Sequence, residues 1–161
     1  MPRFTDSPRL DRLDQRITRA MAKHGLTLMR ISLGVVFLWF GALKFFPGLS
    51  PAEGLAGRTI ETLTQGFVTQ PVALLILAAW ECLIGLGLLS GLFMRATLAL
   101  LFVQMLGTLT PLVLFPAETF TAFPYAPTLE GQYIIKNAVL IAGAVILGAT
   151  VRGGRLVSEP S

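Results

Sequence analysis

Charge, histidine and thiols are scarce in this chain, and each scarcity excludes something. Charged residues make up only 14% of its 161 residues, against about 25% in an ordinary soluble domain. A separate water-soluble domain is therefore not expected. The one cysteine, Cys82, cannot form an internal disulfide or a Cys-x-x-Cys redox pair. The one histidine, His24, excludes haem ligation by two histidines of the same chain. There is no cluster of metal ligands, no nucleophile–histidine–acid set and no phosphate-binding loop, so the chain is not expected to catalyse a reaction on its own or to hold a metal or covalent cofactor. The net charge of +4 does not point to nucleic acid, because the basic residues are dispersed along apolar segments. The polar start up to Gly25, followed by a full-length apolar run, does not read as a cleavable signal peptide.

What the chain has instead is apolar runs, with 53% hydrophobic residues. The most telling is Val72–Leu92, VALLILAAWECLIGLGLLSGL, which carries a single acid, Glu81, near its centre. Roughly 20 apolar residues in a helix cross a bilayer core about 30 Å thick. A carboxyl at that depth costs about 3 kcal/mol on insertion scales. Something must offset that cost, so Glu81 is the residue around which the other segments are read. Trp80 beside it is either a cavity wall or core packing. Cys82 reads as a small buried hydrophobe.

In chain order, residues 1–25 predict a basic amphipathic interfacial helix. Ser7-Pro8 resembles an N-cap with proline at the first helical position, and Gly25 is a plausible stop. Leu10, Leu13, Ile17 and Met21 form an apolar stripe, while Arg9, Arg12, Arg16, Arg19 and Lys23 lie largely off it, as suits an anionic leaflet. Residues 26–46 form the first span, with Arg30 and Lys44 near its ends and Gly34 and Gly41 as smooth patches. In the following loop, Ser50-Pro51-Ala52-Glu53 matches a capping box, and Ala56, Ile60, Leu63 and Phe67 recur at helical spacing, which predicts a short helix on the membrane face. Residues 72–92 are the second span, with Gly87-x-x-x-Gly91 as a close-packing face. Residues 96–115 are the third, with Gln104 in its interior and a kink at Pro111. Residues 116–132 read as an irregular, proline- and aromatic-rich loop. Residues 133–151 are the fourth span, with Lys136 and Asn137 in its first turns, and 152–161 form a polar tail. The expected fold is an all-α membrane protein, a four-helix transmembrane bundle preceded by the basic helix.

Four spans place both termini on one side. That side collects Arg3, Arg9, Arg12, Arg16, Arg19, Lys23, Arg95, Arg152 and Arg155, whereas the opposite loops hold Arg58 beside Glu53, Glu61, Glu118 and Glu130. The positive-inside rule then puts both termini in the cytoplasm of a multi-pass bacterial inner-membrane protein.

The short turn at Phe93–Arg95 makes spans two and three antiparallel neighbours, and reflection about it brings Glu81 level with Gln104. Counted from the outer boundary, Glu81 lies about 13 Å deep and Lys44 and Lys136 about 3–5 Å deep. A direct Glu81–lysine bridge is then stretched, and a water-filled cavity joins them more comfortably. Two readings stand. In the structural one, Glu81 is a neutral acid donating to Gln104 or to a backbone carbonyl, the lysines snorkel to the headgroups, and Trp39 is an interfacial or packing aromatic. In the functional one, Glu81, Gln104, Lys44, Lys136 and Asn137 line a small outward-opening pocket walled by Trp39 and Trp80. A quinone headgroup, a small anion or a proton path would occupy it.

The residues also carry a likeness. RISLG from Arg30, FLWFGALKFF from Phe37, ECLIGLGLLSG from Glu81 with Arg95 after it, and Glu130-Gly131-Gln132-Tyr133 with Lys136-Asn137 resemble, in order, the helices of DoxX-like membrane proteins. Within that family they resemble the RclC-like, reactive-chlorine-resistance branch, although the first outer loop is shorter here. The resemblance spans roughly Leu26–Gly154. It implies a four-helix inner-membrane bundle tied to redox or oxidative-stress pathways, and it supplies no catalytic residues. The function expected is an accessory subunit of such a system, binding quinone or lipid in the pocket, with redox partner proteins and a homo-oligomer as candidate partners besides the bilayer. The alternatives are a small-solute or proton-coupled transporter and a non-catalytic scaffold.

Overall fold

Uninterrupted apolar runs with few helix breakers dictate long helices here, and a computed structural model shows them. It describes residues 8–50 and 53–156. The order is α1 (Pro8–Leu43), α2 (Glu53–Leu63), α3 (Gln70–Ser90), α4 (Met94–Leu109), α5 (Pro111–Leu114), α6 (Pro116–Thr119), strands β1 (Phe120–Ala122) and β2 (Ala126–Pro127), and α7 (Leu129–Thr150). Four segments are long and apolar enough to cross a membrane: Arg9–Leu43, Gln70–Ser90, Met94–Leu114 and Leu129–Thr150. The protein is an all-α membrane protein with four spanning helices.

The break expected at Gly25 does not occur. α1 runs unbroken for 36 residues, about 54 Å at 1.5 Å per residue, so the basic segment is the first part of the same helix rather than a separate one. A glycine inside a helix costs about 1 kcal/mol relative to alanine, too little to end a helix continued by strong helix formers on both sides. Ser7, Pro51 and Ala52, parts of the two expected caps, lie outside the described residues, as do Arg3 and residues 157–161 of the tail.

The four spans form a ring in the order α1, α3, α4, α7, and α1 packs most extensively on α3. Glycines allow that approach. A Cβ at Gly34 would sit 2.8 Å from Leu89 Cγ, and one at Gly41 would sit 2.8 Å from Glu81 Cβ and 2.9 Å from the Cys82 nitrogen. Gly85 of α3 rests on the Leu38 backbone in the same way. The Gly87–Gly91 pair works differently from expectation. Gly87 faces Thr97 of α4, and Gly91 is the left-handed C-cap of α3, with φ 72°. Arg30 completes that cap. Its Nη1 donates to the Leu88 and Leu89 carbonyls at 2.6 and 3.1 Å, where a cation meets the negative end of the helix dipole. Arg30 therefore binds protein rather than lipid headgroups.

The half of the ring nearer the termini is packed solid by Leu33, Ile84, Leu88, Leu98, Leu101, Ala144 and Leu147. The half nearer the loops is not. There α2 lies across the ring and packs on α3. It buries Leu55, Gly57 and Thr59, not the expected stripe, of which Leu63 and Phe67 are exposed. Gly57 is what lets the Gln70 side chain close against it, so the face is chosen by a close approach that periodicity does not register.

The second loop is more regular than its prolines suggested. α6 leads into a small antiparallel hairpin that pairs Phe120 with Pro127 and Ala122 with Ala126. Pro124 falls in the turn, after a cis peptide bond, and Pro127 ends an edge strand, the two places where a missing N–H is tolerated. α7 starts at Leu129, earlier than expected, because Thr128 caps it by accepting from the Gly131 nitrogen at 3.2 Å.

Candidate functional site

The unfilled half of the ring holds a cavity of about 460 Å³. Its walls are apolar: Val36, Phe37 and Phe40 from α1, Leu55, Ile60 and Leu63 from α2, Ile76, Leu77 and Trp80 from α3, Val103 and Met105 from α4, and Tyr133, Ile134 and Leu140 from α7. Its floor is polar, and Glu81 lies at the centre.

Glu81 is buried, 7% exposed, and both carboxylate oxygens accept. Gln104 Nε2 donates to Oε1 at 2.7 Å, and Lys44 Nζ donates to Oε2 at 2.6 Å. Glu81 thus accepts from Gln104 rather than donating to it. The Gln104 bond follows from the α3–α4 turn. The direct lysine bridge overturns the expected gap, and the reason is geometric. Side chains lean toward the N-terminus of their own helix. Lys44 follows the last turn of α1 and Glu81 lies on the antiparallel α3, so the two lean toward each other and close several ångströms. Lys44 also donates to the Phe40 carbonyl at 3.3 Å.

One atom of this floor has no partner. Gln104 is 7% exposed, and among the described residues its Oε1 is the buried side-chain polar atom left without a hydrogen bond. With Nε2 committed to Glu81, the planar amide turns its oxygen away from the ion pair. A buried, unsatisfied acceptor costs about 1–3 kcal/mol, which a donor in the cavity would recover. The hydroxyls of Thr59 and Thr108, which also line the cavity, are satisfied by the Leu55 and Met105 carbonyls at 2.7 and 2.9 Å.

Of the seven residues picked from the sequence, the cavity brings together Lys44, Glu81, Gln104, Asn137 and Trp80. Trp80 is fixed by its Nε1, which donates to the Leu100 carbonyl at 3.1 Å. Lys136 and Trp39 lie elsewhere. Each is exposed and sits two residues from a buried neighbour, Ile134 and Phe37 respectively. At about 100° per residue that is the opposite face of the helix, so each points out of the bundle. The roof is not legible in the sequence. Arg58 of α2 pairs with Glu118 of α6 and lies 5.8 Å over the Phe115 ring, tying the roof helix to the second loop. The acids opposite Arg58 were visible in the sequence, but the pairing was not. Among the described residues no group of His, Cys, Asp and Glu is placed to hold a metal ion.

Comparison with known proteins bears on this architecture. The DoxX family model matches residues 25–117, which includes the helices that carry Lys44, Glu81 and Gln104. The inner membrane protein RclC of Escherichia coli (strain K12) is 31% identical over 172 aligned positions, covering 79% of this chain and 83% of the relative. No solved structure matches the chain. With more than half of its length matched by the family model, and a relative aligned across most of both chains, the protein belongs to the DoxX family.

Proposed function

We propose that this DoxX-family protein is a non-catalytic accessory subunit of an inner-membrane redox or oxidative-stress system, and that its cavity holds the headgroup of a lipid-soluble molecule of the quinone or lipid class. The observation that carries the reading is the unpartnered Gln104 Oε1 on the polar floor of an otherwise apolar cavity. An apolar chamber with a few convergent polar groups is the usual form of a small-molecule site, and this one lies within the spans, where a hydrophobic tail is soluble. Similarity to RclC supports an inner-membrane setting. The charge asymmetry supports cytoplasmic termini, with the roof helix facing outward.

The test is thermal unfolding of the purified protein in detergent against a series of short-chain quinone and quinol analogues. The midpoint should rise with concentration for at least one analogue, as mass action requires of a ligand that binds the folded state. Lys44→Met should abolish the rise by dismantling the floor. Unchanged midpoints across the series would refute the reading. A transporter is the second reading, favoured by the buried ion pair. It predicts that Glu81→Gln abolishes uptake in proteoliposomes while the fold survives.

A further inference from the structure

The hydrogen-bonding inventory of the floor restricts what the cavity can hold. Glu81 accepts on both oxygens. Lys44 Nζ has three donors. Two go to Glu81 Oε2 and the Phe40 carbonyl, and one remains. Gln104 Oε1 is an acceptor with no donor. Lys44 and Gln104 hold the two different oxygens of the same carboxylate, and both residues line the cavity. An occupant that satisfies both must accept from Lys44 and donate to Gln104. A hydroxyl supplies the donor that Gln104 Oε1 lacks, and its oxygen can also accept. A carbonyl oxygen can accept from Lys44 but has no donor to offer Gln104 Oε1.

We infer that the site takes a phenolic hydroxyl, and so binds the reduced, quinol form of a lipid-soluble ring in preference to the oxidised quinone. The aromatic part of the assignment rests on the walls, where Phe37, Phe40, Trp80 and Tyr133 offer flat apolar surface. The inference deepens the reading above and depends on it, since it names the chemical form of the occupant of the same cavity. The discrimination comes from one buried hydrogen bond and should amount to about tenfold in affinity.

The test uses the full chain in lipid nanodiscs, kept anaerobic, with decylubiquinol, decylubiquinone and 1-decanol as probes and apparent affinity taken from the thermal shift. The expected result is that the quinol binds about tenfold more tightly than the quinone, with the alcohol weaker than the quinol. Gln104→Met, which removes the acceptor at similar volume, should erase the difference by weakening the quinol alone. If that variant does not fold, the wild-type ratio decides by itself. Equal affinity for the two redox forms, or preference for the quinone, overturns the inference and leaves the cavity reading standing. An alcohol that binds as tightly as the quinol overturns the phenolic assignment. Failure of all three probes to bind overturns both the inference and the reading beneath it.

Discussion

Replacing Gly41 with alanine adds one methyl group at the point where α1 and α3 come closest. The new Cβ would lie 2.8 Å from Glu81 Cβ, 2.9 Å from the Cys82 nitrogen and 3.1 Å from Cys82 Sγ. Carbon atoms in contact prefer about 3.5–4.0 Å, so the helices must separate by roughly 1 Å. Two of the three obstructing atoms are backbone nitrogen and the first side-chain carbon, which cannot swing aside. Overpacking of this kind costs about 1–3 kcal/mol. The shift also draws Glu81 from Lys44, whose bond is 2.6 Å long. Gly25→Ala is the matched control. It is the same substitution in the same helix, with nothing within 4 Å of the added carbon, and removing a flexible residue there should stabilise by about 0.5–1 kcal/mol. Thermal unfolding in detergent, followed by circular dichroism, should move the two midpoints in opposite directions. A Gly41→Ala protein that melts with the wild type would refute the claim that this glycine sets the α1–α3 distance.

Lys44→Met strands a buried carboxylate and should destabilise by about 3–5 kcal/mol, whereas the Lys44→Met, Glu81→Leu double variant should lose far less than the sum of the singles in a double-mutant cycle. Arg30→Met uncaps the Leu88 and Leu89 carbonyls of α3 and should cost about 1.5–3 kcal/mol by the same unfolding assay, as loss of a charged hydrogen bond does. Arg58→Ala removes an ion pair whose side chains are 45% and 40% exposed, so the stability change should stay below about 1 kcal/mol. For orientation, Phe67→Cys in a Cys82→Ser background should react with a membrane-impermeant maleimide added to the outside of intact spheroplasts, because Phe67 is 94% exposed in the first loop; labelling only after lysis would reverse the topology.

Much of this architecture is legible in the sequence because bilayer thickness and helix rise constrain it so tightly. The spans follow from apolar length, and the Glu81–Gln104 bond follows from a turn short enough to act as a mirror. What escaped depends on direction rather than spacing. Lys44 and Glu81 are distant as points on two helix axes, but both side chains lean toward their own N-termini, which closes the ion pair. Lys136 has the right depth for the cavity, but its helical phase relative to Ile134 turns it outward. Arg30 reads as a snorkelling cation until α3 is placed beside it and its last carbonyls come within reach. The continuity of α1 through Gly25 is a competition between a weak breaker and a strong helical context, which no single residue announces. Gly131, part of the motif that carried the family likeness, gains a physical reason: it seats the first turn of α7 directly on the Thr119 carbonyl.

A lipid-soluble headgroup held on the polar floor beneath α2 should leave the membrane with the protein. The most direct measurement is mass spectrometry of the small molecules that accompany the protein when it is extracted from its own membrane into lipid nanodiscs. An isoprenoid quinone or a single lipid class should be enriched over the surrounding membrane in the wild type, with the enrichment lost in Gln104→Met and retained in Arg58→Ala. A molecular composition identical to bulk membrane in all three proteins would contradict it.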